Sequence, residues 1–355
     1  MTALAAPAPS LGVAAFRDWY RSAAVLEAER ELLFANSWSV LADEAELATP
    51  GQYVTGVIGG VPVVVLRGDD GALVGFENLC RHRGIPVLSG AGSVGRFLTC
   101  PYHQWSYRRD GSLVTVPQRE SQFCDVDVAG LGLRPVAVES WAGIVFCRPN
   151  PVGPSLIESF CGLDKRLEVF TLHHLEQMAC VTIEAACNWK LLVENHVDVY
   201  HLWYLHQASL NQYEHRRFDW ESLGDNWWSL EPLKSFEEAP RTLSFLPDPE
   251  RAGIGAHLLF PNVMIVTTGD YFATYEATAL APDRTRLTLR VRSVGGTDAE
   301  ELVAAIRSFL AEDVVACEQL QVATGSPSYG FGPTAASHEE PVRRFHEALR
   351  RALTC

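Results

Sequence analysis

Two short runs constrain this chain more than anything else in it: Cys80-Arg81-His82-Arg83-Gly84 and Cys100-Pro101-Tyr102-His103-Gln104-Trp105. Each pairs a thiol with an imidazole, at C-x-H and C-x-x-H spacing, and seventeen residues, 83–99, separate the halves. The surrounding runs YVTGVIGG, VPVVVLRGDDG, ALVGFEN, RFLTC, GSLVTVP, LRPVAVES and GIVFCRPN are short and Val-rich, punctuated by Gly and Asp. That is the pattern of antiparallel strands, so the two Cys-His pairs fall in loops at strand ends that can clamp one centre between them. Zinc usually takes C-x₂₋₄-C with a separate histidine pair. Alternating Cys-His, Cys-His suits instead a [2Fe–2S] cluster with two thiolates on one iron and two imidazoles on the other, at a potential of roughly −150 to +300 mV.

The chain is 355 residues long, which predicts two domains and ample core. Its formal charge is 29 minus 43, or −14, which argues against nucleic acid or an anionic membrane as partner. No run approaches the ~20 apolar residues of a membrane span. Residues 1–16 are Ala- and Pro-rich without a basic start before an apolar run, so no signal peptide is expected and a cytoplasmic location is. Nine cysteines, an odd number, favour metal ligation or buried thiols over a disulfide framework. Cys124, Cys147, Cys161, Cys180, Cys187 and Cys317 read as packing thiols, and Cys355 is terminal.

Periodicity predicts a helix over 22–38, a strand around 178–185, a helix over 190–201, a three-strand meander within 257–294, a long helix over 299–321 and a last one over 339–353. The fold class expected is α+β: an N-terminal all-β domain, then an α+β domain with an antiparallel sheet flanked by helices. Boundaries fall at 1–39 for a tail and helix packing on the second domain, 40–155 for the cluster domain, and 156–355 for the rest.

The second domain carries its own ligand-rich stretch, Asn188-Trp189-Lys190 through Glu194-Asn195-His196 to Asp198, Tyr200, His201, Trp203, Tyr204 and His206. On an ideal helix Asp198 and His201 share a face. His201 and His206 are about 140° apart, so both reach one metal only if the helix distorts or ends between them. Spacing alone leaves this site open.

The first pair of runs resembles the Rieske motif, and the 188–206 segment resembles the catalytic stretch of Rieske non-haem iron oxygenases, NWK…EN…D-x-Y-H-x₄-H. The closest likeness is to the branch acting on choline, glycine betaine and carnitine, carried also by Phe260-Pro261-Asn262-Val263-Met264. Gln104 departs from the family's usual Gly after the second histidine. The resemblance implies that Cys80, His82, Cys100 and His103 hold the [2Fe–2S] cluster and that His201 and His206 hold a mononuclear Fe(II). It implies that Asp198 bridges to His103 of a neighbouring subunit and carries the electron path, in a head-to-tail homotrimer. Glu312-Asp313 followed by Cys317-Glu318 and Gln321 resembles the family's ED…CE…Q helix, making Asp313 the third ligand of a facial triad, with Glu312 and Glu318 as alternatives. His196 is placed to orient a neighbouring group, whereas His173, His174, His215, His257, His338 and His346 have no ligand spacing.

What the resemblance implies functionally is a terminal oxygenase that uses O₂ and NAD(P)H-derived electrons, delivered by a separate flavin and iron–sulfur reductase. The favoured substrate is a quaternary or N-methylated amine, hydroxylated next to nitrogen or N-demethylated. Aromatic hydroxylation or dioxygenation is the alternative, and an electron-transfer iron–sulfur protein or a structural zinc protein are remote ones. Asn195, Trp203 and Tyr204 are the pocket residues expected, among aromatics that can cage an ammonium by cation–π attraction.

Overall fold

The computed structural model describes residues 16–354 apart from 129, 241 and 331. Their contacts divide the chain into two units, Phe34–Ser159 and Phe160–Cys355 together with the stretch ending at Leu33.

The Phe34–Ser159 unit is built from three small antiparallel sheets. One runs in the order Leu73–Glu77, Val61–Arg67, Gln52–Ile58, Ala91–Ser93. A second orders Phe97–Thr99, Ser106–Arg108, Leu113–Thr115, and a third Ser39–Asp43, Ile144–Arg148, Ala137–Trp141. Val63, Val64, Val65 and Leu66 are all fully buried, because Val61–Arg67 is a central strand covered on both faces. Cys80, Cys100, Trp105 and Tyr107 belong to one apolar cluster of this unit, with Val64, Leu66 and Phe76. The two Cys-His loops therefore grow directly out of packed core.

The other unit is a seven-stranded antiparallel sheet flanked by helices. Its strand order is Glu176–Ala185, Arg284–Ser293, Phe272–Ala281, Val263–Thr267, Gly253–Leu259, Asn226–Pro232, Asp219–Leu223. The meander expected from the sequence is present with four strands rather than three, because the first expected run, 257–268, turns at Phe260-Pro261-Asn262 into the separate strands Gly253–Leu259 and Val263–Thr267, and the hairpin Asp219–Leu223/Asn226–Pro232 extends it. The long helix is Ala299–Ala323, started by Asp298, whose carboxylate accepts from Glu300 N and Glu301 N. The last helix is Glu340–Leu353.

Two helices differ from expectation. The N-terminal one is α only over Ala23–Ala28, then widens and tightens through Glu29–Leu33 and Phe34–Asn36. The widening coincides with Glu29, drawn fully inside to meet Lys190 and to accept from Trp189 Nε1 at 2.8 Å. The ligand-bearing helix, capped by Asn188, spans Trp189–Val197 and stops there, and one further turn forms over Leu202–Leu205. No described helix is long and apolar enough to cross a membrane.

Three cysteines read as packing thiols, Cys124, Cys161 and Cys180, are exposed. Cys180 lies on Glu176–Ala185, an edge strand with one open face, and the other two lie in short connections. Cys147, Cys187 and Cys317 are buried as expected.

Candidate metal centres

The two Cys-His loops are the same turn built twice. Cys80 O accepts from Gly84 N at 2.8 Å and Cys80 N donates to Ile85 O at 2.9 Å; Cys100 O accepts from Gln104 N at 3.1 Å and Cys100 N donates to Trp105 O at 2.8 Å. The fifth position of each turn is left-handed, φ +73° at Gly84 and +60° at Gln104. Glycine takes that conformation freely; a residue with a Cβ gives up about 1–2 kcal/mol. Gln104 returns some of it through its own amide, which donates to Cys100 O at 3.4 Å.

The turns present unlike halves. Both thiols are sealed in core, Cys80 3% and Cys100 1% exposed, and burial pushes the Cys100 thiol up. The imidazoles of His82 and His103 are only partly covered, with ring centroids 4.6 Å apart. Burial and the neighbouring His103 hold His82 below the usual histidine range, which favours the neutral ring a ligand needs. His82 stacks on Trp105 at 5.1 Å, and its buried Nδ1 has no hydrogen-bond partner. Tyr107 Oη accepts from Arg81 N at 3.0 Å and lies 3.4 Å from Cys80 Sγ, to which it would donate were that sulfur a ligating thiolate without a proton. A buried thiol pair beside a half-covered imidazole pair fits a cluster whose two irons differ in ligand type.

In the other unit, the helix break after Val197 decides the second site. With Asp198 extended (φ −82°, ψ 110°) and the single turn Leu202–Leu205 intervening, His201 and His206 face each other, Nε2 to Nε2 at 3.2 Å. From the Ala299–Ala323 helix, Asp313 Oδ1 reaches His206 Nε2 at 2.9 Å and His201 Nε2 at 3.4 Å. Ligand atoms of these three side chains lie within 4.8 Å of one another.

Glu312, the residue before, faces the back of the same ring. Its Oε2 lies 2.7 Å from His206 Nδ1 and accepts from Ser209 Oγ at 2.9 Å. A proton on Nδ1 serves Glu312, which leaves the Nε2 lone pair pointing at a carboxylate oxygen and a second imidazole. Three electron-rich atoms meeting there call for a cation between them, so the donor set fits Fe(II) with open positions on one side. Burial alone would raise the Asp313 carboxyl, but the hydrogen bonds and charge of His201 and His206 hold it below the usual carboxylate range. His206 is likewise lowered by burial and raised, on balance, by Asp313 and Glu312.

Asp198 sits beside the triad. Its Oδ1 accepts from Tyr200 N at 2.7 Å and its Oδ2 is 3.8 Å from His201 Nδ1. Burial, with Glu339 adding, pushes its carboxyl up to about 6. Asp198, His201, Asn195 and Tyr204 line one cavity of about 520 Å³, whereas Trp203 lines another beside His206. The expected pocket residues therefore belong to two cavities. Glu318 is away from the triad: it accepts from Ala186 N at 2.8 Å, and Gln321 accepts from Asn188 N at 2.9 Å. Those two side chains fasten the long helix to the start of the Trp189–Val197 helix. His196 reaches His257 O at 2.8 Å and, like His257, is driven below its usual range by burial.

Sequence reasoning missed Glu312 as a support for His206. His215, which has no ligand spacing in the sequence, lies with its Nδ1 2.6 Å from buried Glu231.

The family model for the ring hydroxylating alpha subunit (catalytic domain) matches residues 172–354, and that for the Rieske [2Fe–2S] domain matches 37–138. The carnitine monooxygenase oxygenase subunit of Acinetobacter baumannii is 31% identical over 246 residues, 66% of this chain and 64% of that protein. The chain's match thus spans somewhat under two thirds of that relative's length. The anthranilate 1,2-dioxygenase large subunit of Burkholderia cepacia is 35% identical over 197 residues, 53% of this chain and 46% of that protein. Among solved structures, the quaternary ammonium Rieske monooxygenase CntA superposes with a TM-score of 0.83 at 24% identity, over 95% of this chain and 94% of that one. That likeness is one of fold.

Proposed function

The chain belongs to the ring hydroxylating alpha subunit family, with a Rieske [2Fe–2S] domain ahead of the catalytic domain, and from that premise we propose that it is the terminal oxygenase acting on a quaternary or N-methylated amine. The observation that carries the oxygenase reading is the meeting of His201, His206 and Asp313 within 3.4 Å beside open space. In this reading they hold the mononuclear iron, and Cys80, His82, Cys100 and His103 hold the cluster. The cluster supplies single electrons and the iron an O₂-binding position beside the substrate. Glu312 keeps the His206 proton on Nδ1, so that Nε2 stays free to bind metal. Asp198 links His201 to His103 of a neighbouring subunit in a homotrimer. An NAD(P)H-dependent reductase with flavin and a plant-type [2Fe–2S] centre feeds the chain, in the cytoplasm.

The overall reaction takes one oxygen atom into a C–H bond next to nitrogen and releases the other as water, with two electrons and two protons from outside. A hydroxylated N-methyl carbon then collapses to formaldehyde and the amine with one methyl fewer. The amine substrate rests on the likeness to the carnitine enzyme; the anthranilate relative supports the aromatic alternative. Oxygen uptake by the reconstituted, reduced protein distinguishes them, using choline, glycine betaine, carnitine and stachydrine against aromatic acids and amines. The expected result is uptake with a quaternary amine, accompanied by formaldehyde or an aldehyde. Uptake with aromatics alone overturns the amine reading and leaves both metal centres standing.

A further inference from the structure

Among the described residues His196 has one hydrogen-bond partner, His257 O, 2.8 Å from its Nε2. A carbonyl oxygen only accepts, so the ring carries its proton on Nε2 and presents a lone pair at Nδ1. The anchor is fixed in turn. His257 Nδ1 accepts from Ser229 N at 3.4 Å, which puts the His257 proton on Nε2, 3.0 Å from Thr267 Oγ1. Burial holds the His196 ring down at about 4, so Nδ1 carries no proton at neutral pH. The ring is still only half-buried, and Nδ1 meets no donor of the chain. An acceptor drawn out of bulk water in this way lacks the partner its desolvation calls for.

The groups that act on this ring are those of the iron site. Asp313 raises its proton affinity, His201 lowers it, and His257 is the third titratable residue against it. Tyr275, 3% exposed on the strand Phe272–Ala281, feels the same Asp313 carboxylate. Its Oη is buried without a hydrogen-bond partner, and the Tyr271 hydroxyl adjoins it outside hydrogen-bond geometry. Two polar atoms, one from a helix and one from a strand, thus border the surroundings of Asp313 unsatisfied within the chain. The reaction proposed above oxidises a carbon bonded to nitrogen, so the substrate nitrogen lies one bond from the atom that must reach the triad. A polar hydrogen within reach of an acceptor there is one on that nitrogen. An ammonium N–H gives a neutral imidazole a charge-assisted hydrogen bond, which a methyl group in its place cannot.

We propose that His196 Nδ1 accepts the N–H of a protonated secondary or tertiary N-methylamine bound beside His201 and Asp313. This rests on the amine reading above and narrows it to amines that keep a hydrogen on nitrogen, in preference to fully quaternary ones. His196 is the specificity-determining residue, and His257 O positions it by fixing its ring and its tautomer.

The test pairs N,N-dimethylglycine with glycine betaine, and N,N-dimethylethanolamine with choline. Within each pair a methyl group replaces the hydrogen on nitrogen. Dissociation constants are measured by calorimetry and KM by oxygen uptake, on the holoenzyme and two variants. His196→Phe has no acceptor, whereas His196→Asn sets an amide oxygen close to the place of Nδ1. The expected result is a preference for the N–H member of each pair that falls about ten- to a hundredfold in His196→Phe and is largely kept in His196→Asn. Iron content and cluster spectrum report whether each variant has folded; if His196→Phe has not, the wild type's own preference decides. A wild type that binds the fully methylated member as tightly or more tightly, or a preference that persists unchanged in His196→Phe, overturns the inference while leaving the amine reading intact. A wild type that binds no member of either pair overturns both.

Discussion

Tyr107 has one proton and two neighbours. Its oxygen accepts from Arg81 N, and its O–H donates to Cys80 Sγ when that sulfur is a ligating thiolate with no proton of its own. A hydrogen bond to a cluster sulfur favours the reduced, more negative state. Tyr107→Phe is therefore expected to lower the cluster potential by tens of millivolts, on the order of 1 kcal/mol converted at ~59 mV per tenfold; redox titration followed by the cluster's visible spectrum measures it, and an unchanged potential refutes the assignment. Glu312 acts at the other centre. Glu312→Ala is expected to weaken iron binding about 10–100-fold while leaving the cluster spectrum alone, measured by competitive chelation. The Cys-His spacing made the first centre readable, since each half is local. Glu312 was readable only as a rival to Asp313: neighbours on a helix point about 100° apart, and which of them faces inward depends on how the helix rolls against its partner.

At the level of elements, the Trp189–Val197 helix is held by the N-terminal segment. Lys190 is fully buried, pairs with Glu29, and lies 5.3–5.7 Å from the ring centroids of Trp19, Tyr20 and Trp189. Glu194, one turn on, accepts from Tyr20 Oη and pairs with His346 Nε2, both at 2.9 Å. Lys190→Met leaves Glu29 charged and buried, and is expected to cost about 3–5 kcal/mol. The double variant Lys190→Met/Glu29→Gln is expected to recover much of that, as chemical denaturation of the three proteins would show; equal losses in single and double variants would contradict the pairing. The helix existed in the sequence pattern, but its end did not. Val-Asp-Val-Tyr-His contains neither Gly nor Pro, so nothing local announces a stop at Val197, and the need for one came only from the 140° between His201 and His206. The strands Asp219–Leu223 and Asn226–Pro232 were missed because DWESLGDNWWSL alternates weakly.

For the molecule as a whole, two buried imidazoles couple stability to acid. Burial drives His257 to about 3 and His196 to about 4, against ~6.5 in an unfolded chain. Above pH ~6.5 both states hold these rings neutral and their contribution is complete. As pH falls below that value the unfolded chain takes up protons that the folded chain refuses, so stability declines toward pH 4 and on to 3. The slope approaches about 1.4 kcal/mol per pH unit for each ring, and His257→Asn is expected to flatten it; an acid limb of unchanged slope in that variant refutes the coupling. The two-unit division was legible from the change in texture between Val-rich strands and periodic helices, whereas the cavity beside His206 joins a loop to a strand and left no trace in spacing.

In the proposed function, electrons from the cluster are consumed at the site of His201, His206 and Asp313. The direct measurement is a single turnover: the cluster is reduced anaerobically, substrate and O₂ are added, and the return of the oxidised spectrum is timed. Wild-type protein should reoxidise quickly and in proportion to substrate, whereas Asp313→Ala, with its cluster intact, should stay reduced. Equal, substrate-independent reoxidation in both proteins would show that the electrons leave by another route and would contradict the central claim.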